Sequence, residues 1–187
     1  MSTQLKTFLD MVKRQDYLVL DTETTGLKNA EICQIAIINH TGEILLNTLV
    51  QPTKPIPHEA WRIHGISDEM VADAPPWGIV GQAAWVILSE HDNLVVYNAK
   101  FDRHMLYSSD EHVGVQKQLW KERISWHCAM ENYAEFYAHW CQRRQSWKWQ
   151  TLTNAAVQMS LDINNAHSAL GDCQTTLALI QAMALEP

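Results

Sequence analysis

The sequence predicts an α/β protein with a mixed five-stranded sheet flanked by helices. Two observations carry this. Short apolar runs rich in β-branched residues occur at strand length, two of them joined by a tight polar turn, and the later runs alternate with stretches of helical periodicity. Hairpin strands followed by alternating helices and strands require both antiparallel and parallel neighbours in one sheet, sandwiched between helices.

Each element follows in chain order. Tyr17-Leu18-Val19-Leu20, preceded by a polar segment, reads as a buried strand that emerges into Asp21-Thr22-Glu23-Thr24-Thr25-Gly26. Ile32 to Asn39 and Ile44 to Gln51 flank His40-Thr41-Gly42-Glu43 and form an expected antiparallel hairpin. Pro52, Pro55 and Pro57 are expected to forbid regular structure until Ser67, where a Ser N-cap followed by Asp68 and Glu69 announces a short helix. Pro75-Pro76 opens a second helix through about Ser89.

Leu94-Val95-Val96-Tyr97 is the fourth strand, leading through Asn98-Ala99 into a helical pattern with Phe101, Met105 and Leu106. Ile124 to Trp126 is a short fifth strand and Ala129 to Trp140 a helix, ended by the polar interruption Cys141 to Ser146. Leu152 to Met159 is helical, then comes a loop with Asp162, Asn164 and Asn165, and a last helix runs from Ser168 to Ala184.

The 187 residues, 47% hydrophobic and 19% charged, suffice for one domain over 1–187 with a substantial core, and exclude disorder as the dominant state. No apolar run has the length of a signal peptide or a membrane span, so a cytoplasmic protein without a membrane partner is expected. Cys33, Cys128, Cys141 and Cys173 are scattered and too few to staple the chain. His127-Cys128 and His139-x-Cys141 could supply four zinc ligands, but the helix expected between them puts the pairs at opposite ends. A net charge of −7 argues against the basic footprint of a protein that grips duplex nucleic acid.

The chemistry lies in the carboxylates. Asp21 and Glu23, two apart on a strand, project to the same face. Asp102 falls in the first turn of the helix after the fourth strand, and Asp172 lies in the last helix, five residues after His167. If the first and fourth strands are adjacent and parallel, the crevice beyond their carboxyl ends gathers Asp21, Glu23 and Asp102, and the last helix can add Asp172 across it. Oxygen-only ligation of this kind suits Mg²⁺ or Mn²⁺, and a pair of such ions forms the clamp used for displacement at phosphorus.

Asp21-Thr-Glu-Thr-Thr-Gly26, Asn98-Ala-Lys-Phe-Asp102 and His167-Ser-Ala-Leu-Gly-Asp172 together resemble the three motifs of the DEDDh exonuclease family. Glu59-Ala60-Trp61-Arg62-Ile63-His64-Gly65-Ile66 resembles its connecting segment, so the similarity runs from about Tyr17 to Ala184. The likeness is strongest to the branches of exonuclease X and of the epsilon proofreading subunit of bacterial DNA polymerase III. The resemblance implies a ribonuclease-H-like fold, two Mg²⁺ or Mn²⁺ ions, and release of nucleoside 5′-monophosphates from a 3′ end.

Carried over by position, Asp21, Glu23, Asp102 and Asp172 would be metal ligands and His167 the general base. The helix carrying Asp172 is expected to place it a little over one turn beyond His167, roughly 7 Å along the axis, which leaves space for a phosphate between base and ligand. Thr24, Thr25 and Gly26 would let backbone approach the terminal nucleotide, and His64, Asn98 and Phe101 are candidate nucleotide contacts. Phe101 equally suits core packing, and His64 could order its Pro-flanked loop.

Two positions depart from the family pattern: Ser168 replaces an Arg common beside the base, and Trp126-His127-Cys128 replaces an Asp-Thr pair. The chain has no extension beyond Pro187 like the polymerase-binding tail of the epsilon subunit, so a free-standing enzyme is expected rather than a stably bound polymerase subunit. Trp120, Trp126, Trp140, Trp147 and Trp149 crowd one stretch, and Arg143-Arg144-Gln-Ser-Trp147-Lys148-Trp149 mixes bases with aromatics. That composition suits unpaired bases and phosphates, or a loop whose tryptophans cover the core. The expected partner is a DNA 3′ end, single-stranded or frayed, with RNA as the alternative substrate and a non-catalytic end-binding module as the alternative from another class.

Overall fold

The strands β1 (Leu18–Thr24), β2 (Ile32–Asn39), β3 (Ile44–Leu49), β4 (Asn93–Val96) and β5 (Ser125–Cys128) form one five-stranded sheet in the order β3-β2-β1-β4-β5. The computed structural model describes residues 1–114, 123–163 and 166–186; Trp120, Asn164 and Asn165 lie outside the described residues. β1 is antiparallel to β2 and β2 to β3, whereas β1, β4 and β5 run parallel. Leu18 pairs with Leu94 and Val19 with Val95, so β1 and β4 deliver their carboxyl ends side by side.

Strand alternation divides the core between the two faces of the sheet. Leu18, Leu20, Leu94 and Val96 pack on one face with Trp77, Ala84 and Leu88 of α4 (Trp77–Ser89) and Met105 and Leu106 of α5 (Ala99–His112). Val19, Ala36 and Val95 pack on the other, against α1 (Thr3–Arg14), α6 (Ala129–Tyr137), α7 (Leu152–Gln158) and α8 (Ala169–Leu185). By the same alternation Asp21 and Glu23 inherit the Val19 face, while Thr22 takes the face covered by α5.

Three departures from the expected elements change the fold most, and the fifth strand, expected over Ile124 to Trp126, is shifted to Ser125–Cys128. The polar segment before β1 is the helix α1, which buries Leu5, Phe8, Leu9, Met11 and Val12 and is capped by Ser2, whose Oγ accepts from Leu5 N–H. Its apolar residues recur at helical spacing, but polar residues dominate the outer face and mask the stripe. Second, the prolines after β3 do not hold off regular structure until Ser67: α2 (His58–His64) starts directly after Pro57 and ends on Gly65 at φ 73. Proline before a first turn removes no helical hydrogen bond, so it marks a start here instead of forbidding one. The short helix α3 (Asp68–Val71) then follows Ser67 as expected.

The third departure is the helix expected to reach Trp140. α6 stops at Tyr137, with Ala138 left-handed at φ 55. Beyond it Trp140–Cys141 (β6) and Ser146–Trp147 (β7) pair as a two-stranded hairpin, and the polar stretch between them is its turn. A third, small apolar cluster of Cys33, Ile56, Ala60, Ile66 and Val71 fastens the segment after β3 to the sheet.

Candidate active site

Four acids line one cleft of about 160 Å³ at the carboxyl ends of β1 and β4, together with Thr22, Tyr97, Asn98, Phe101, Leu152 and His167. Each is positioned by a local feature of the chain. Asp21 and Glu23 follow from the alternation of β1. Asp102 stands in the first turn of α5, buried, and its Oδ1 accepts from both the backbone N–H of Thr22 at 3.1 Å and the Thr22 hydroxyl at 2.7 Å. Asp172 stands in the first turn of α8, and its Oδ1 accepts from the backbone N–H of His167 at 3.3 Å.

The start of α8 is held from two sides. Ser168 is the N-cap, its Oγ accepting from Gly171 N–H at 3.2 Å. Ala169 N–H donates to Gln34 Oε1 on β2 at 3.0 Å, which pins the helix end to the sheet. Among the described residues, Asp21, Glu23 and Asp172 form a group whose ligand atoms all lie within 4.8 Å of one another. Asp102 shares the cleft but stands outside this trio, tied back to Thr22.

His167 is not on the helix. It precedes the N-cap in a turn, exposed, with a left-handed φ of 63, so its relation to Asp172 is not the rise of a helical turn. The chain instead folds back until the His167 N–H reaches the Asp172 carboxylate, and the side chain lines the cleft.

So many acids in one cleft repel each other. Burial, then the neighbouring Asp102, Asp172 and Glu23, holds Asp21 well above the usual carboxylate range. Burial, then Asp172 and Asp102, pushes Glu23 up to about 8. Asp102 is raised to about 7 by burial, against the lowering effect of its Thr22 hydrogen bonds. Asp172 is raised by burial, with the His167 backbone bond acting the other way. A cleft of oxygen donors that take up protons for want of positive charge is chemically fitted to hard divalent cations.

The remaining candidates divide. Asn98 is exposed in the cleft and its side chain makes no cap bond to α5, while Phe101 both lines the cleft and packs on the α5 side of the core. Thr24, Thr25 and Gly26 lie outside the cleft lining and organise the loop after β1: Thr24 Oγ1 donates to Gly26 O at 2.7 Å, and Thr25 Oγ1 accepts from Glu31 N–H at 3.0 Å. His64 also lies outside the lining. Its Nδ1 accepts from Ile66 N–H at 3.0 Å, its Nε2 stands 3.9 Å from Cys33 Sγ, and a hydrogen bond to the Thr24 backbone opposes the lowering effect of burial.

Sequence reasoning missed Thr22, Gln34, Tyr97, Leu152 and the capping role of Ser168. A Ser just before an apolar helical run is an N-cap signal and could have been read. The others act across the fold and leave no local mark. Volume alone would also mislead: a larger cavity of about 690 Å³ lies between α1, α5 and β5, lined by Lys100, Arg103, Tyr107 and Trp126 among others, and contains none of the four acids.

A family model described as Exonuclease matches residues 18–180. The chain is 42% identical over 175 residues to the uncharacterized exonuclease CP81 of Escherichia phage 186, covering 90% of this chain and 88% of that protein. It is 40% identical over 107 residues to a DNA polymerase III subunit epsilon-like protein of Rhodobacter capsulatus, a match that spans 52% of this chain and 15% of that protein. Among solved structures, exonuclease X in complex with 5′ overhanging duplex DNA superimposes with a TM-score of 0.66 at 27% identity, over 89% of this chain and 90% of that one. The mixed five-stranded sheet flanked by helices is thus the ribonuclease-H-like fold.

Proposed function

The chain belongs to the exonuclease family, and from that premise we propose that it is a DEDDh-type 3′-to-5′ exodeoxyribonuclease that trims single-stranded or frayed DNA ends to nucleoside 5′-monophosphates. The observation that carries the reading is the convergence of Asp21, Glu23, Asp102 and Asp172 with His167 in one cleft at the ends of two parallel strands. The duplex DNA held by exonuclease X in its complex supports DNA as the substrate.

The acids fit a pair of Mg²⁺ or Mn²⁺ ions: Asp21, Glu23 and Asp172 offer oxygens within 4.8 Å of one another, and Asp102, anchored through Oδ1, offers Oδ2. Such ions supply activation of the attacking water and neutralisation of the charge on the leaving oxygen. The protein's own residues do the rest. The imidazole of His167 accepts a proton from the water as oxygen attacks the terminal phosphorus. The bond from phosphorus to the 3′ oxygen of the preceding nucleotide breaks, releasing the 5′-monophosphate. Thr22 holds Asp102, and the His167 backbone holds Asp172, so the residue that carries the base also bonds a ligand carboxylate. The free amide of Asn98 and the ring of Phe101 are placed to orient the terminal nucleotide, and the loop of Thr24, Thr25 and Gly26, buttressed by His64, shapes the approach to it.

The test is digestion of 5′-labelled single-stranded, duplex and mismatched DNA, and of RNA of the same sequence, with Mg²⁺. The expected result is a ladder shortening from the 3′ end, mononucleotide products, fastest cleavage of single-stranded DNA and slower cleavage of RNA. Hydrolysis that persists in EDTA, or that starts from the 5′ end, would overturn the proposal.

A further inference from the structure

The β6–β7 hairpin carries tryptophans that the core does not use. Trp140, Trp147 and Trp149 are 40%, 37% and 56% exposed and belong to none of the three apolar clusters, so they do not cover the core. Trp140 and Trp147 are cross-strand partners and meet edge to face with centroids 5.0 Å apart, which braces the hairpin. Trp149 follows that pair and is the most exposed of the three.

The charge around them is also unlike the rest of the chain. Arg143 and Arg144 occupy the turn and Lys148 sits beside Trp149, all exposed, and no acid occurs between Glu135 and Asp162 in a chain of net charge −7. The hairpin is moreover coupled to the cleft. The Tyr97 hydroxyl donates to Gln150 O at 2.9 Å, and Tyr97 and Leu152 both line the cleft. Two residues, Gln150 and Thr151, separate Trp149 from Leu152, a reach of at most about 11 Å. At about 3.4 Å per stacked nucleotide, that distance is about three nucleotides.

We infer that this hairpin binds the unpaired strand upstream of the 3′ end, with Trp149 stacking on a base and Arg143, Arg144 and Lys148 meeting phosphates. The inference rests on the exonuclease reading of the cleft. It also answers a need of that reading: a cleft of carboxylates in an acidic protein repels a polyanion beyond the reach of the ions it holds, and a basic aromatic arm a few nucleotides away offsets that repulsion.

The experiment compares the full chain with Trp149→Ala and with the triple variant Arg143→Ser, Arg144→Ser, Lys148→Ser. Three substrates are used: a 12-nucleotide single-stranded DNA, a dinucleotide, and the p-nitrophenyl ester of thymidine 5′-monophosphate. For Trp149→Ala, KM on the 12-mer should rise about tenfold, with hydrolysis of the dinucleotide and the ester unchanged. For the triple variant, the slope of log affinity against log salt should fall by about two. Anisotropy of a labelled 12-mer with Ca²⁺ reads the same affinity without turnover. If wild type hydrolyses none of the substrates, the exonuclease reading fails while this binding arm still decides the hairpin. Unchanged 12-mer affinity and salt slope in both variants would overturn the inference and leave the hairpin to a protein partner. Equal losses on ester and 12-mer would overturn it too, by making the hairpin a support of the cleft.

Discussion

Thr22 and Asp102, eighty positions apart, are joined by two hydrogen bonds onto a single carboxylate oxygen, one from the backbone N–H and one from the hydroxyl. Thr22 stands between Asp21 and Glu23, and strand alternation turns it to the opposite face. One tripeptide therefore presents two acids to the cleft and clamps a third. Thr22→Val keeps the shape and removes the hydroxyl bond; Mg²⁺ affinity or activity should fall by about 10- to 100-fold. Thr22→Ser should restore it. A Mg²⁺ titration of the initial rate is the measurement, and a Val variant equal to wild type would dismiss the clamp.

Metal dependence and the acids should fail together. EDTA should abolish hydrolysis and added Mg²⁺ or Mn²⁺ restore it, and Asp21→Asn should lower kcat by more than about a thousandfold. The same substitution should raise the melting temperature of the metal-free protein, because it deletes one member of a mutually repelling group. An inactive variant that is also less stable in EDTA would point to misfolding instead of loss of a ligand.

His167→Ala should cost about 10²- to 10⁴-fold in kcat, with binding of a 12-mer in Ca²⁺ within about twofold of wild type. Because His167 is left-handed, Ala adds strain of its own, so His167→Asn, which tolerates that conformation, is the control. Both should lose activity. A fall of less than tenfold in the Asn variant would remove the base from His167.

The raised carboxyl groups make a prediction about stability. Glu23 at about 8 and Asp102 at about 7, with Asp21 and Asp172 also raised, mean that the folded metal-free protein holds more protons than the unfolded chain above about pH 4. Their stabilising contribution is complete below the unfolded values and is lost as pH rises through 7 to 8. Thermal melts in EDTA should therefore fall by about 5 to 10 °C between pH 5.5 and 8.5. Saturating Mg²⁺ should flatten that slope, since the cation replaces the protons. A metal-free melting temperature that climbs over the interval would contradict the electrostatic account.

Much of the fold is legible along the chain, and the exceptions have physical causes. β1, β2 and β4 announce themselves because buried strands of this kind concentrate β-branched and apolar residues in short runs. α1 hides because a surface helix needs only one apolar stripe, and its polar majority reads as loop. The β6–β7 hairpin hides because strands of two residues are too short to show a period, and its turn looks like any polar break. In the cleft, the pairing of Asp21 with Glu23 on one face is local and readable. The left-handed turn that places His167 before α8, in contrast, breaks the helical spacing expected between His167 and Asp172.

The sequence by itself determined the strands around the site, the shared face of Asp21 and Glu23, and the three segments that resemble exonuclease motifs. These depend on the backbone's own period and on residue identity over a few positions, which no distant contact alters. Tertiary structure alone decided that Thr22 holds Asp102, that Gln34 fastens α8, and that Asp172 joins Asp21 and Glu23 while Asp102 stands apart. Those partners lie far apart in the chain, and their meeting is set by the strand order and by where α5 and α8 begin, quantities that exist only once the sheet has formed.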